Sequence, residues 1–160
     1  MNEQIFLEEL SEYIQLHIQT VHFYLKKASE HYNLNESKTL EDFLKEKRKP
    51  TFSELLFTFI DQKQLKDSEV YNKAGIDRKH FSKIRSNPNY RPRKKTILSL
   101  TIALELTRDD IENLLESAGY SLSNSDTGDL IIQFCLEKNI YNINWINQAL
   151  DLYGQKSLNG

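Results

Sequence analysis

The sequence predicts an all-α protein, and three observations carry that prediction. Long windows repeat apolar residues every three or four positions, the spacing of a helix with one buried face. Only five Gly and three Pro interrupt 160 residues. Helix-start patterns recur, in which Thr is followed three residues later by an acidic side chain that can complete or support a cap, at Thr51 with Glu54 and at Thr107 with Asp110. A chain of this length holds one ordinary domain, or a small domain of about 70 residues with extensions.

The first helix is expected from about Asn2 to His31, with Leu7, Leu10, Ile14, Ile18, Val21, Leu25 and Ala28 along one stripe. Such a stripe packs either on the protein's own core or against a second chain, and both alternatives stand at this point. The polar stretch Tyr32 to Lys38 follows, and Thr39 with Asp42 opens a short helix to about Lys47. The run from Lys45 to Pro50 reads as a charged hinge closed by proline. Thr51 then starts an apolar helix that continues to about Gln64.

Residues 67–86 read as a helix, a tight turn and a second helix. Val70, Ala74, Ile76, Phe81 and Ile84 fall where the two helices face each other, and Gly75 supplies the positive φ of the turn. The loop Asn87 to Pro92 leads into a helix over 93–105 with Ile97, Leu100, Thr101 and Leu104 at helical spacing. Thr107 caps another, through Ile111, Leu114 and Leu115, ending near Gly119. Two tail helices are expected at about Thr127 to Lys138 and Ile143 to Leu152. The expected organisation is thus an N-terminal helical arm and hinge at 1–49, a helix-turn-helix domain at 50–119, and a C-terminal helical extension packed on it at 120–160.

Charge points to a partner. The net charge is −2, yet between Asp77 and Thr96 eight basic side chains face one acid, giving +7. The remainder of the chain is therefore −9. A basic patch on an acidic body orients a protein on nucleic acid while limiting unspecific adhesion; a solvated charged loop is the plain alternative. Cys135 stands alone in the apolar run Leu130 to Leu136 and is expected to be a core residue in a reducing compartment. With no positively charged start and no apolar stretch long enough to span a bilayer, the protein is expected to be soluble and cytoplasmic, with no membrane partner. Catalysis has no constellation to rest on: there is no glycine-rich phosphate loop, no nucleophile elbow, and no metal spacing among His17, His22, His31, His80 and Cys135. No cofactor is expected.

The five helices from Thr51 to Ala118, with the helix-turn-helix second and third, resemble the DNA-binding domain of the Cro and phage-repressor family over about 68 of 160 residues. The likeness extends to Pro92 and Thr96 to Thr107, which follow that family's fourth helix and the turn after it. It implies a sequence-specific, dimeric transcriptional regulator bound to double-stranded DNA. The helix from Asp77 to Ser86 would enter the major groove, with Arg78, Lys79, Ser82 and Lys83 reading bases. Tyr90, Arg91, Arg93, Lys94 and Lys95 would flank the groove and contact phosphates; Arg85 belongs to the same basic set, and His80 either touches DNA or is an idle surface histidine. Three positions depart from the family: Asp67 where glutamine is frequent, Tyr71 where alanine is usual, and Asn87 where glycine is usual. Residues from about Phe52 to Gly154 are also similar to an uncharacterised bacterial module found attached to macro domains. That second resemblance implies no ADP-ribose site, because no macro domain is present, but it does imply a portable module. The alternative function is accordingly an adaptor that binds another protein, in a bacterial stress or phage-response system. Self-association through the Leu7 to Ala28 helix is a third expected contact.

Overall fold

The computed structural model describes residues 2–33, with side chains through residue 28, and residues 39–159. Residues 34–38 of the expected polar stretch lie outside the described residues. Every regular element among the described residues is a helix. The chain divides into two compact units, Met1–Arg48 and Lys49–Gly160.

The first unit holds α1 (Glu3–Asn33) and α2 (Leu40–Lys47). Thr39 caps α2 by accepting from the Asp42 backbone N–H, while the Asp42 carboxylate accepts from the Thr39 N–H. The apolar side chains of α1 are exposed; Leu7, Leu10, Ile14, Ile18, Val21 and Leu25 lie between 40% and 62% accessible.

The second unit contains α3 (Phe52–Gln62), α4 (Asp67–Ala74), α5 (Arg78–Ser86), α6 (Lys94–Ala103), α7 (Arg108–Ser117), α8 (Thr127–Glu137) and α9 (Ile143–Leu152). Its core is continuous from Phe52 to Leu158. Leu56, Ile84, Ile97, Leu100, Ile111, Leu114 and Ile146 are fully buried, each contributing roughly 1.5–3 kcal/mol by leaving water. Helix α6 is the central element: seven consecutive residues, Ile97 to Ala103, are buried, and it contacts α4, α7 and α9. Burial on every side explains Ser99 and Thr101 there, whose hydroxyls donate to the carbonyls of Lys95 and Leu98 and so leave no polar atom unsatisfied.

Helices α3, α4, α6, α7, α8 and α9 end alike. In each, the N–H of the residue just after a left-handed turn residue returns to a carbonyl in the last turn, as in Leu65 to Ile60, Ile76 to Tyr71 and Leu106 to Thr101. The left-handed residue in these closures is Gly75, Gly119 or Gly154 in three cases, and Gln64, Glu105 or Asn139 in the others. The helix expected to reach Gln64 therefore stops at Gln62, because Gln64 itself turns the chain at φ 54°.

Helices α8 and α9 form a hairpin whose inner residues Ile132, Cys135, Leu136, Ile146 and Leu150 belong to the same core. Asp129 at the start of α8 is buried and receives the Ser123 N–H and the Lys94 ammonium of α6. The chain's last described residues fold back over the same side. Lys95 donates to the carbonyls of Lys156 and Ser157, Leu158 is buried, and Asn159 accepts from the Asn147 side chain.

Candidate nucleic-acid interface

Helix α5 owes its orientation to two residues. Phe81 and Ile84 are buried three positions apart, which leaves Arg78, Lys79, Ser82 and Lys83 on the outward side, all exposed. Ser53 of α3 fixes the helix end by donating to the Ile84 carbonyl at 2.9 Å. Gly75, at φ 68°, turns α4 into α5. It is also the floor under Asn159: a Cβ built at Gly75 would lie 2.1 Å from the Asn159 amide nitrogen.

Both departures in α4 have partners. Asp67 takes two hydrogen bonds from the Arg85 guanidinium, at 2.7 and 2.6 Å, and the same guanidinium lies 3.9 Å over the Phe57 ring. Arg85 is thus a clamp across α3, α4 and α5, with its charge matched. Tyr71 finds its room against Phe81, with ring centroids 5.5 Å apart, and Phe57 also meets Phe81, edge-on. A shallow cleft of about 350 Å³ opens between the start of α4 and the outer face of α5, lined by Lys66, Ser68, Tyr71, Arg78 and Ser82.

A second cluster joins α5 to the following loop. The half-buried Tyr90 hydroxyl lies 3.1 Å from His80 Nε2, and Lys83 Nζ stands 4.4 Å over the Tyr90 ring. His80 is therefore engaged by Tyr90, and one face of Tyr90 is already occupied by Lys83.

The remaining basic residues divide by burial. Lys94 pairs with Asp129 and Lys95 binds the two carbonyls of the C-terminal segment, so both hold the fold together from half-buried positions. Arg91 and Arg93 are exposed, with the Arg91 guanidinium beside Gly119. Arg78, Lys79, Lys83, Arg91 and Arg93 have no ion-pair partner among the described residues. These five carry the positive surface of the stretch that was expected to have eight basic contributors. The Asp67–Arg85 clamp, the Lys94–Asp129 pair and the Lys83–Tyr90–His80 cluster were not foreseen. Their contacts join residues at least seven apart, and opposite charge, at 67 with 85 and at 94 with 129, is the only mark they leave in the sequence.

Cys135 is buried, and that burial pushes its thiol up from the ordinary range. No group of three or more potential metal ligands occurs among the described residues. No helix among them is long and apolar enough to cross a membrane. Compared with family models, curated proteins and solved structures, the chain matches none of them.

Proposed function

We propose that α4, Gly75 and α5 act as a helix-turn-helix within a repressor-like arrangement of α3 to α7, and that the protein is a sequence-specific DNA-binding regulator working as a dimer. One observation carries this proposal. A helix pinned by Phe81 and Ile84 presents Arg78, Lys79, Ser82 and Lys83 outward, with Arg91 and Arg93 on the loop beyond it, and none of the five cations is matched by an acid among the described residues. Arg and Lys suit the acceptors of guanine in the major groove, and Ser82 suits either a base edge or a phosphate. Exposed Arg91 and Arg93 suit phosphate contacts. One such helix covers a half-site, which is why a dimer belongs to the proposal.

Asp67 and Tyr71 do not weigh against it, since the first is matched by Arg85 and the second is packed on Phe81. The second reading, an adaptor for another protein, is favoured by a different surface. The outer side of the α8–α9 hairpin has an apolar cleft of about 370 Å³ lined by Leu130, Phe134, Ile140, Trp145, Ala149 and Tyr153.

Selection of bound sequences from random double-stranded DNA tests the proposal. Enrichment of a short motif by the full chain, relaxed at single positions by Lys79→Ala or Lys83→Ala, is the expected result. Recovery of unenriched sequence, with equal loss for these variants on all DNA, would reject base reading by α5.

A further inference from the structure

Helix α1 carries a pattern that neither half of the proposal above uses. Its apolar stripe is symmetric about the bond between His17 and Ile18. Leu7 and Ala28, Leu10 and Leu25, and Ile14 and Val21 lie at equal distances on either side of that point. All of these side chains are exposed. The charges are arranged oppositely on the two sides. Glu3, Glu8, Glu9 and Glu12 occupy the first part of the helix, and Lys26 and Lys27 stand where the mirror positions of Glu9 and Glu8 fall.

We infer that α1 pairs with the α1 of a second copy in antiparallel orientation, about a two-fold axis beside the His17–Ile18 bond. A two-fold interface brings each residue against its mirror position on the partner, so a helix that reads alike from both ends is complementary to itself only when the second copy runs the other way. Antiparallel pairing sets Leu7 beside Ala28, Leu10 beside Leu25 and Ile14 beside Val21 of the partner. It also places the acidic first part of each helix along the basic part of the other, and the helix dipoles oppose. A parallel pair would stack four carboxylates on four carboxylates. His17 fixes the register. It lies at the centre of the stripe, stacked on Tyr13 with ring centroids 6.1 Å apart and planes 9° from parallel, and meets Ile18 of the partner beside the axis. A slip of one heptad would move this polar ring out of the central layer and into an apolar one. The inference does not depend on DNA binding, because it uses no residue beyond α1.

Sedimentation equilibrium of the full chain without DNA is the first measurement, with a dimer expected in the micromolar range. Ile14→Glu is expected to raise the dissociation constant by at least about a hundredfold, since it buries a charge on both sides of the seam. Circular dichroism checks that helix content is kept. Glu8→Lys is expected to weaken the dimer at low salt, and adding Lys27→Glu to restore it. Orientation is read by a short thiol cross-linker, with wild-type protein, whose Cys135 is buried, as the blank. Leu7→Cys mixed with Ala28→Cys is expected to give the mixed dimer, whereas Leu7→Cys alone leaves its thiols about 31 Å apart and unlinked. A wild-type monomer throughout the micromolar range, or ready cross-linking of Leu7→Cys chains to one another, would overturn the inference.

Discussion

Replacing Gly75 by alanine attacks the turn between α4 and α5 in two separable ways. Alanine at φ 68° takes on the left-handed conformation, at about 1–2 kcal/mol. Its Cβ would also lie 2.1 Å from the Asn159 amide nitrogen, so that side chain must move away. Asn159 sits at the end of a flexible side chain, and its displacement forfeits chiefly the 2.8 Å bond from Asn147, about 0.5–1.5 kcal/mol. The expected loss is therefore roughly 2–3 kcal/mol, which for a domain of this size lowers the thermal midpoint by about 6–12 °C. Chemical denaturation of the full chain followed by circular dichroism measures it. In an Asn159→Ala background the penalty of Gly75→Ala should shrink to about 1–2 kcal/mol, because only the backbone cost remains. A loss below about 0.3 kcal/mol in the wild-type background would refute the reasoning, as would an unchanged penalty when Asn159 is shortened.

Lys94→Ala leaves the buried Asp129 carboxylate without its ammonium and is expected to destabilise by somewhat less than the roughly 3–5 kcal/mol of a fully buried pair, read as a falling denaturation midpoint; an effect within error would remove it from the core. Gln64→Gly is expected to stabilise by about 0.5–1 kcal/mol, since glycine takes the same left-handed turn without the Cβ cost, and destabilisation would contradict the assigned helix end. Cys135 should resist a thiol reagent at neutral pH and react on unfolding. Its raised folded value means that this contribution to stability is whole below the unfolded thiol value and is lost as pH rises through the folded one; rapid reaction of native protein would show the residue is not buried.

The helices were legible because their signals are local. Thr39, Thr51 and Thr107 cap helices with partners only three residues away, and the three- and four-residue spacing of Leu56, Ile60, Ile111, Leu114 and Leu115 already marks the buried faces. Helix ends were less legible. Gly75 and Gly119 announce their turns and Asn139 is a residue type that tolerates one, but Gln64 and Glu105 adopt the same conformation with nothing in their side chains to give notice. The basic stretch was visible as a run of charge, yet its division was not. Arg85, Lys94 and Lys95 differ from Arg78, Lys79 and Lys83 only in what the fold brings opposite them: Asp67, Asp129 and the carbonyls of Lys156 and Ser157, which lie 18, 35 and at least 61 positions away.

DNA binding by the five unmatched cations is tested most directly by the salt dependence of the full chain's affinity for double-stranded DNA. If Arg91 and Arg93 of each protomer neutralise one phosphate apiece while Arg78, Lys79 and Lys83 read bases, the four phosphate contacts of the dimer should make the logarithm of affinity fall with the logarithm of salt at a slope of roughly −3.6. Arg91→Ala with Arg93→Ala should remove most of that slope. No measurable binding at low salt, or a slope untouched by the double substitution, would contradict the proposed interface.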